Sequence, residues 1–230
     1  MENIVIIGIS DTADRIYQFI QRYSLYNVVG FSVDKEYLPE SGTYKGLPCW
    51  PLDQLKQHID IAKDLVFVAV LWNRLNGDRR RMYEHVKAYG FKFASLISPK
   101  ACFRGRHIGE NCLVSDGVIV QEEALIGDDV YLMDGAIVGH RAIIGTHAFL
   151  AVGSITLGAA RVGEQVFVGA GSIVFDETKI GDKSLVGAGV AVRRDIPPFS
   201  VCKINPQESI VKSYSEDVIE SKWMAHHNVR

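Results

Sequence analysis

The sequence predicts two structural units in series: an α/β domain with a small Rossmann-like parallel sheet, then a parallel β-helix, with a short helix at the C-terminus. Two observations carry this prediction. Apolar strands alternate with amphipathic helices over residues 1–98, and a six-residue repeat runs without a slip through residues 108–197. We therefore divide the 230-residue chain into an α/β domain at 1–98, a β-helix at 99–207 and a helical tail at 208–230.

The first unit consists of apolar runs typical of buried parallel strands, each followed by a segment with helical spacing of its apolar residues. The predicted strands are 3–8, 28–33, 64–71 and 91–97, and the predicted helices are 12–23 and 78–89. Strands that alternate with helices imply a parallel sheet covered on both faces. The boundary with the second unit is expected near residues 99–105.

A sheet of this kind binds ligands beyond the carboxyl ends of its strands, at the first strand–helix turn. That turn contains Gly8 and Ser10, and Asp34 follows the second strand, where an acid could contact a ribose or a base. These three residues are candidate substrate-binding residues, while an ordinary strand–helix connection and an ordinary turn remain the alternatives. The run from Arg79 to Arg81 lies on a predicted helix and is interpreted as a solvated face, with a phosphate site as the alternative.

The second unit repeats every six residues, a period that an α-helix, with its apolar stripe at 3.6, cannot use. Fourteen of the fifteen leading positions are aliphatic, the exception being Thr156. The leading residues are Ile108, Val114, Val120, Ile126, Leu132, Val138, Ile144, Leu150, Thr156, Val162, Val168, Val174, Ile180, Val186 and Val192. They are expected to fill the interior of a stacked coil.

A longer period of 18 residues is superimposed on the first. Similar tetrads begin at every third leading residue: IGEN, IGDD, IGTH, VGEQ and IGDK. Three hexapeptides therefore form one turn of a triangular coil, and fifteen form about five coils, stacked at ~4.8 Å. Glycine after the leading residue is expected at the corners because it adopts positive φ without steric cost.

Composition and charge argue against several classes of function. The net charge of −2 and the pI near 6.4 offer no electrostatic footprint for nucleic acid. No apolar run approaches the roughly 20 residues that would cross a membrane, and the first residues do not resemble a signal peptide. The four cysteines form no CxxC pair, so we expect reduced thiols and a cytoplasmic location.

A metal centre is not expected in the coil. A zinc site built from imidazoles would need three that converge, whereas His140 and His147 occupy different places in successive hexapeptides and no third histidine follows within the coil. Cys112 occupies a small inward position and is interpreted as core packing. His140 lies just beyond a glycine corner, where side chains point outward, and on this ground alone it could be a surface residue.

The strings AIVGHRAIIG, GTHAFLAVGSITLGAARVG and VFVGAGSIV resemble the hexapeptide-repeat sugar acetyltransferases of the sialic acid O-acetyltransferase and bacillosamine N-acetyltransferase type. In that family an N-terminal nucleotide-binding βαβ domain precedes the β-helix, the same order as here. The resemblance covers the chain to about residue 207. It implies a left-handed coil, a homotrimer, and acetyl-CoA as the acyl donor.

The resemblance also implies roles for individual residues. His140 matches the catalytic base, which deprotonates the attacking amine or hydroxyl, a task that suits imidazole near neutral pH. Gly158 matches the position whose backbone N–H stabilises the negative oxygen. Ala170 and Ala188 match small residues beside the pantetheine arm, and Arg193 or Arg194 could meet the CoA phosphates.

The chain also departs from the family pattern. Arg141 stands where an acid often follows the catalytic histidine, and Phe149 stands at a position that is polar in some members. The N-terminal loop retains only Gly8 of its usual glycines. These departures leave open a diverged acceptor or a catalytically weak homologue.

We predict an acetyl-CoA-dependent N-acetyltransferase that acts on an amino sugar of a nucleotide-linked glycan precursor by direct transfer. An O-acetyltransferase for a sialic acid type of sugar and a non-catalytic scaffold or binding trimer are the alternatives.

Overall fold

The computed structural model describes residues 1–70 and 73–204. Its first part is a six-stranded sheet with the order β3-β4-β2-β1-β5-β6, in which only the β3–β4 hairpin is antiparallel. The strands are β1 (Asn3–Ile7), β2 (Asn27–Val33), β3 (Thr43–Tyr44), β4 (Leu47–Pro51), β5 (Leu65–Val68) and β6 (Lys92–Phe93). The helices are α1 (Asp11–Tyr23) and α2 (Gly77–Ala88), with short 3₁₀ turns at Lys35–Tyr37 and Leu52–Gln57.

The second part is a triangular prism with three parallel sheets. Most strands pair with the strand 18 residues further along, as Leu113 pairs with Tyr131 and Tyr131 with Phe149, and the spacing falls to 17 or 16 only at the two ends of the prism. The first sheet contains β7 (Leu96–Ile97), β10 (Leu113–Val114), β13 (Tyr131–Leu132), β16 (Phe149–Leu150), β19 (Phe167–Val168), β22 (Leu185–Val186) and β24 (Val201–Cys202). We call it the docked face, because the N-terminal domain packs on it.

The apolar core of the N-terminal domain contains no described residue from the strands of the other two faces. The isoleucine face contains β8 (Cys102–Phe103), β11 (Ile119–Val120), β14 (Ile137–Val138), β17 (Ile155–Thr156), β20 (Ile173–Val174) and β23 (Ala191–Val192). The third face contains β9 (His107–Ile108), β12 (Leu125–Ile126), β15 (Ile143–Ile144), β18 (Arg161–Val162) and β21 (Lys179–Ile180). The predicted fold class, an α/β domain followed by a β-helix, is confirmed.

The three corners take their names from their surroundings. The glycine corner joins the docked face to the isoleucine face, and its turns after the first each have a glycine in the left-handed region, such as Gly153 with φ 65°. The free corner joins the isoleucine face to the third face and is opposite the docked face. The clasp corner joins the third face back to the docked face and contacts α2.

The interior of the prism is filled by the leading residues, as the repeat predicts. The leading residues from Val114 to Val192 are buried, and so is Thr156, although it is polar. Cys112 is fully buried among them. Burial raises the pKa of its thiol to about 12, so this cysteine is a core residue and not a nucleophile near neutral pH.

The repeated glycine serves a different purpose from the one expected. Glycines directly after the leading residue, such as Gly145, do not have positive φ. A Cβ on Gly145 would lie 2.6 Å from the carbonyl carbon of Gly163 in the next coil, so the absence of a side chain permits the coils to stack. The left-handed conformation falls two residues later, for example at His147 with φ 62°.

One further expectation needs correction. The strand predicted at 91–97 is two strands, because β6 belongs to the N-terminal sheet while β7 is the first strand of the docked face and pairs with β10. The division at 1–98 and 99–207 remains a prediction. The helical tail predicted at 208–230 lies outside the described residues. Within 1–70 and 73–204, no helix is long and apolar enough to span a membrane.

The N-terminal domain is attached to the prism through apolar and polar contacts. Outward-facing Leu113, Tyr131 and Phe149 of the docked face are buried in the core that includes α1, β1 and β2. At the clasp corner Arg79 of α2 is fully buried and its Nε lies 3.1 Å from Asp129 Oδ2. The interpretation of the arginine run as a solvated face is therefore wrong for Arg79.

Candidate active site

His140 lies on the free corner, separated from the end of β14 by Gly139, and its side chain is exposed. The backbone around it is fixed on both sides. Its N–H donates to Gln121 Oε1 at 2.9 Å in the preceding coil, and its carbonyl accepts the N–H of Ala159 at 2.8 Å in the following coil. The imidazole is thus presented to solvent from a rigid turn, the arrangement that a general base requires.

Gly158 lies in the next coil, 18 residues on, against the ring of His140. A Cβ at this position would lie 2.3 Å from His140 Cε1 and 2.8 Å from each ring nitrogen. Only glycine therefore leaves room for the ring in this orientation. The resemblance assigns catalytic roles to His140 and Gly158. The fold brings these two residues together and places the imidazole beside the backbone of Gly158.

The Gly158 N–H already has an acceptor within the chain. It donates to Asp176 Oδ1 at 3.0 Å, and Asp176 lies a further 18 residues along the free corner. The carboxylate and the imidazole therefore approach the same glycine, each from a neighbouring coil.

Equivalent positions along the free corner form a column of polar groups, one in each coil. The column consists of Arg104, Glu122, His140, Gly158, Asp176 and Arg194. Arg104 Nε lies 2.6 Å from Glu122 Oε1. The pKa of the Glu122 carboxyl is lowered by its own backbone N–H, by Arg104 and, to a smaller extent, by the neighbouring His140.

The column contains two acids, Glu122 and Asp176, that the sequence analysis did not select. Their signal was the 18-residue spacing from His140, −18 for Glu122 and +36 for Asp176. Arg141, which replaces the expected acid, has φ 56° and donates its N–H to the Glu122 carbonyl at 3.0 Å. The imidazole is thus accompanied by an acid one coil before it and an acid two coils after it, whereas the next residue in the chain is basic.

The residues matched to CoA binding fall into two groups. Arg193 and Arg194 are exposed on the free corner, where they line an open groove of about 780 Å³ with Lys203. The Arg193 guanidinium stacks 4.1 Å from the centroid of the Phe175 ring. Ala170 and Ala188 are exposed on the glycine corner, at the opposite edge of the isoleucine face.

The candidate substrate-binding residues line a separate cleft of about 740 Å³ in the N-terminal domain. Gly8, Ser10 and Asp34 meet there, beyond the carboxyl ends of β1 and β2, as the strand order predicts. Gly8 has φ 123°, a conformation that favours glycine, and its N–H donates to the Ser32 carbonyl at 2.9 Å.

Further residues line this cleft that the sequence analysis did not select: Tyr37, Asn73 and Met82. Tyr37 comes from the segment after β2, Asn73 from the turn before α2, and Met82 from α2 itself. Sequence reasoning could not place them because they are brought to the strand ends by the packing of α2 and of the turn after β2.

Within the chain, the cleft and His140 lie on opposite sides of the prism. The N-terminal domain covers the docked face, and the free corner is opposite that face. Among the described residues, no group of three or more His, Cys, Asp or Glu side chains could hold a metal ion.

Comparison with known proteins supports the class that this geometry indicates. The profile of the family described as "hexapeptide repeat of succinyl-transferase" matches residues 159–194. None of the curated proteins matches the chain significantly in sequence.

Solved structures match over almost the whole chain. PerB from Caulobacter crescentus, in complex with CoA and GDP-perosamine, is 27% identical, with a TM-score of 0.74 over 90% of this chain and 96% of its own. The acetyltransferase domain of PglB from Neisseria gonorrhoeae is 23% identical, with a TM-score of 0.76 over 90% and 98%. WeeI from Acinetobacter baumannii is 18% identical, with a TM-score of 0.75 over 90% and 98%.

The chain thus has the fold of a hexapeptide-repeat transferase with an N-terminal α/β domain. More particularly, its resemblance to the hexapeptide-repeat sugar acetyltransferases is confirmed across both parts of the chain.

Proposed function

We propose that the protein is an acetyl-CoA-dependent N-acetyltransferase whose acceptor is a nucleotide-linked amino sugar, with His140 as the general base. The observation that carries this proposal is the imidazole of His140 lying against the backbone of Gly158 on an exposed corner of the prism. It is supported by the similarity to PerB, which was solved with CoA and GDP-perosamine, and to a perosamine N-acetyltransferase.

The residues would act in a direct transfer. His140 takes a proton from the sugar amine as its nitrogen attacks the thioester carbonyl. The N–H of Gly158 stabilises the negative oxygen that forms. When the C–S bond breaks, the imidazolium returns the proton to the departing thiolate, so that N-acetyl sugar and CoA are released. No acyl-enzyme is needed, and Cys112, which belongs to the clasp corner and not to the free corner, is buried and protonated near neutral pH.

The spacing along the free corner suits the length of CoA. Arg194 lies three coils beyond His140, which is roughly 14 Å at ~4.8 Å per coil. A pantetheine arm that lies along this corner would place its thioester near His140 and its phosphates near Arg193 and Arg194. Both arginines are exposed and therefore available to phosphate groups.

A homotrimer would complete the site. The outward side chains of the isoleucine face are apolar and at least partly exposed: Cys102, Ile119, Ile137, Ile155, Ile173 and Ala191. If three copies turn this face toward a threefold axis, the free corner of one copy meets the glycine corner of the next. That seam brings Ala170 and Ala188 of one copy toward His140 of another, and with them the neighbouring N-terminal domain.

The cleft beside Gly8, Ser10 and Asp34 is proposed to hold the nucleotide. It is large enough for a nucleoside diphosphate, and it opens where an α/β sheet presents its backbone N–H groups to phosphate. The four unpaired cysteines fit the cytoplasmic location that the sequence predicts.

The test is His140→Ala, assayed with acetyl-CoA and a panel of nucleotide-linked amino sugars. A general base contributes ~10²–10⁴-fold, so kcat should fall by at least 100-fold. A variant that retains more than about a tenth of the wild-type kcat would refute the assignment. Treatment of the product with base separates the two chemistries, because an ester hydrolyses and an amide survives. Failure to bind acetyl-CoA in calorimetry would instead favour the non-catalytic trimer.

A further inference from the structure

The backbone amide that the proposed reaction needs is already bound by a side chain of the same chain. The N–H of Gly158 donates to Asp176 Oδ1 at 3.0 Å. A carboxylate is a stronger acceptor than a thioester carbonyl, because a hydrogen bond to an ionised group is roughly twice as strong as one between neutral groups. The acyl oxygen of acetyl-CoA cannot use this amide fully while the carboxylate holds it.

The same hydrogen bond occurs at two other places in the prism. Asp128 accepts the N–H of Glu110 at 3.0 Å, and Asp182 accepts the N–H of Glu164 at 2.8 Å, each from 18 residues further along the chain. Both lie on the clasp corner, and in both the donor residue carries its own side chain. At the free corner the donor is a glycine with an imidazole against it, so the amide borders the reacting groups.

We propose that Asp176 competes with the thioester carbonyl of acetyl-CoA for the Gly158 amide and thereby sets the affinity for the acyl donor. This inference rests on the proposed function, since it assigns the acetyl group to the space beside His140. Asp176 is exposed, so its side chain can rotate into solvent when the acyl oxygen takes the amide. The exchange forms one hydrogen bond and breaks one, and no covalent bond changes.

The proposal distinguishes acetyl-CoA from CoA. CoA ends in a thiol and has no carbonyl oxygen to place on the Gly158 amide, so its binding does not require Asp176 to move. Competition at the amide therefore predicts that removal of the carboxylate strengthens the binding of acetyl-CoA and leaves the binding of CoA unchanged. General repulsion between Asp176 and the CoA phosphates would instead change both affinities equally.

The experiment compares Asp176→Ala with Asp182→Ala by calorimetry against acetyl-CoA and against CoA. Asp182→Ala removes the matching hydrogen bond at the clasp corner and serves as the control. For Asp176→Ala we expect the Kd of acetyl-CoA to fall about three- to tenfold, the size expected for loss of one competing charged hydrogen bond at a solvent-exposed site. The Kd of CoA, and both values for Asp182→Ala, should stay within about twofold of wild type.

Asp176→Asn adds a graded variant, because its amide oxygen can still accept the hydrogen bond but carries no charge. Its Kd for acetyl-CoA should lie between those of wild type and Asp176→Ala. An unchanged or raised Kd for acetyl-CoA in Asp176→Ala, or an equal fall for CoA, would overturn the proposal. A loss of kcat above tenfold in Asp176→Ala would also overturn it, because Asp176 would then support His140 and not compete with substrate.

These outcomes separate the inference from the proposed function. A wild-type protein that binds acetyl-CoA but acetylates no sugar refutes the proposed function, while the comparison of Kd values still tests Asp176. A wild-type protein that does not bind acetyl-CoA refutes both.

Discussion

At the scale of single residues, the contact between His140 and Gly158 restricts the sequence most, because position 158 must be glycine to leave room for the imidazole. In Gly158→Ala the new Cβ would lie 2.3 Å from His140 Cε1, so the ring must leave its position. We expect kcat to fall by about 100-fold or more, since misplacement of a general base by about 1 Å has an effect of this size. Steady-state kinetics measures this effect, with the melting temperature as a check on folding.

Gly77→Ala is the matched control for this change. Gly77 also lacks positive φ, but a Cβ there meets no atom closer than 3.6 Å. The kcat of Gly77→Ala should therefore stay close to that of the wild type. Comparable losses in both variants would show that the effect of Gly158→Ala is a general response to added volume.

Single residues were predictable from the sequence where a local pattern marked them. His140 and Gly158 were found through the resemblance, and Cys112 through its inward position in a hexapeptide. Glu122 and Asp176 were missed because acids at a turn are indistinguishable from an ordinary solvated surface until the coils are stacked. Arg79 was misjudged because its partner Asp129 is 50 residues away along the chain.

At the scale of elements, α2 is joined to the clasp corner by buried polar contacts. Arg79 lies 3.1 Å from Asp129 Oδ2, donates to the carbonyls of Asp129, His147 and Ala148, and stacks 4.2 Å from the centroid of the Tyr131 ring. Asp129 also lies 2.9 Å from His147 Nδ1. This cluster fixes the start of α2 and therefore the wall of the cleft to which Met82 belongs.

Arg79→Leu should destabilise the protein by about 3 kcal/mol or more, because a buried carboxylate loses its cationic partner. Urea unfolding followed by tryptophan fluorescence measures this free energy of unfolding. Arg81→Leu is the matched control, two residues along α2. Arg81 is 60% exposed and pairs with Asp78, so its loss should cost about 0.5 kcal/mol or less. An equal loss of unfolding free energy in Arg79→Leu and Arg81→Leu would contradict a stabilising role for the buried contacts of Arg79 at the clasp corner.

Elements themselves were largely predictable, because apolar periodicity determines which residues are buried. The strands of the prism follow the six-residue repeat from Ile108 to Val192, and both helices of the first domain begin and end close to the predicted residues. The segment 91–97 was misread because both of its halves are apolar. Which sheet each half joins depends on pairing with β5 and β10, which a local pattern does not contain.

At the scale of the whole molecule, the geometry separates the two halves of the proposed reaction. The nucleotide cleft belongs to a domain on the docked face, and the base lies on the free corner opposite that face. The residues matched to CoA lie at both edges of the isoleucine face. The proposed site therefore includes a second copy of the chain, and in the proposed trimer the isoleucine faces are buried.

This claim is tested most directly by mixing two inactive variants. Co-expression of His140→Ala and Ser10→Trp chains under different tags, followed by purification through both tags, yields mixed oligomers. In trimers purified through both tags, a site assembled from His140 of one copy and the cleft of the next would recover roughly a third of wild-type N-acetyltransferase activity, because one of the three sites in each mixed trimer carries neither defect. If each site were built within one chain, every site would carry one of the two defects. Mixed oligomers without activity would then contradict the account.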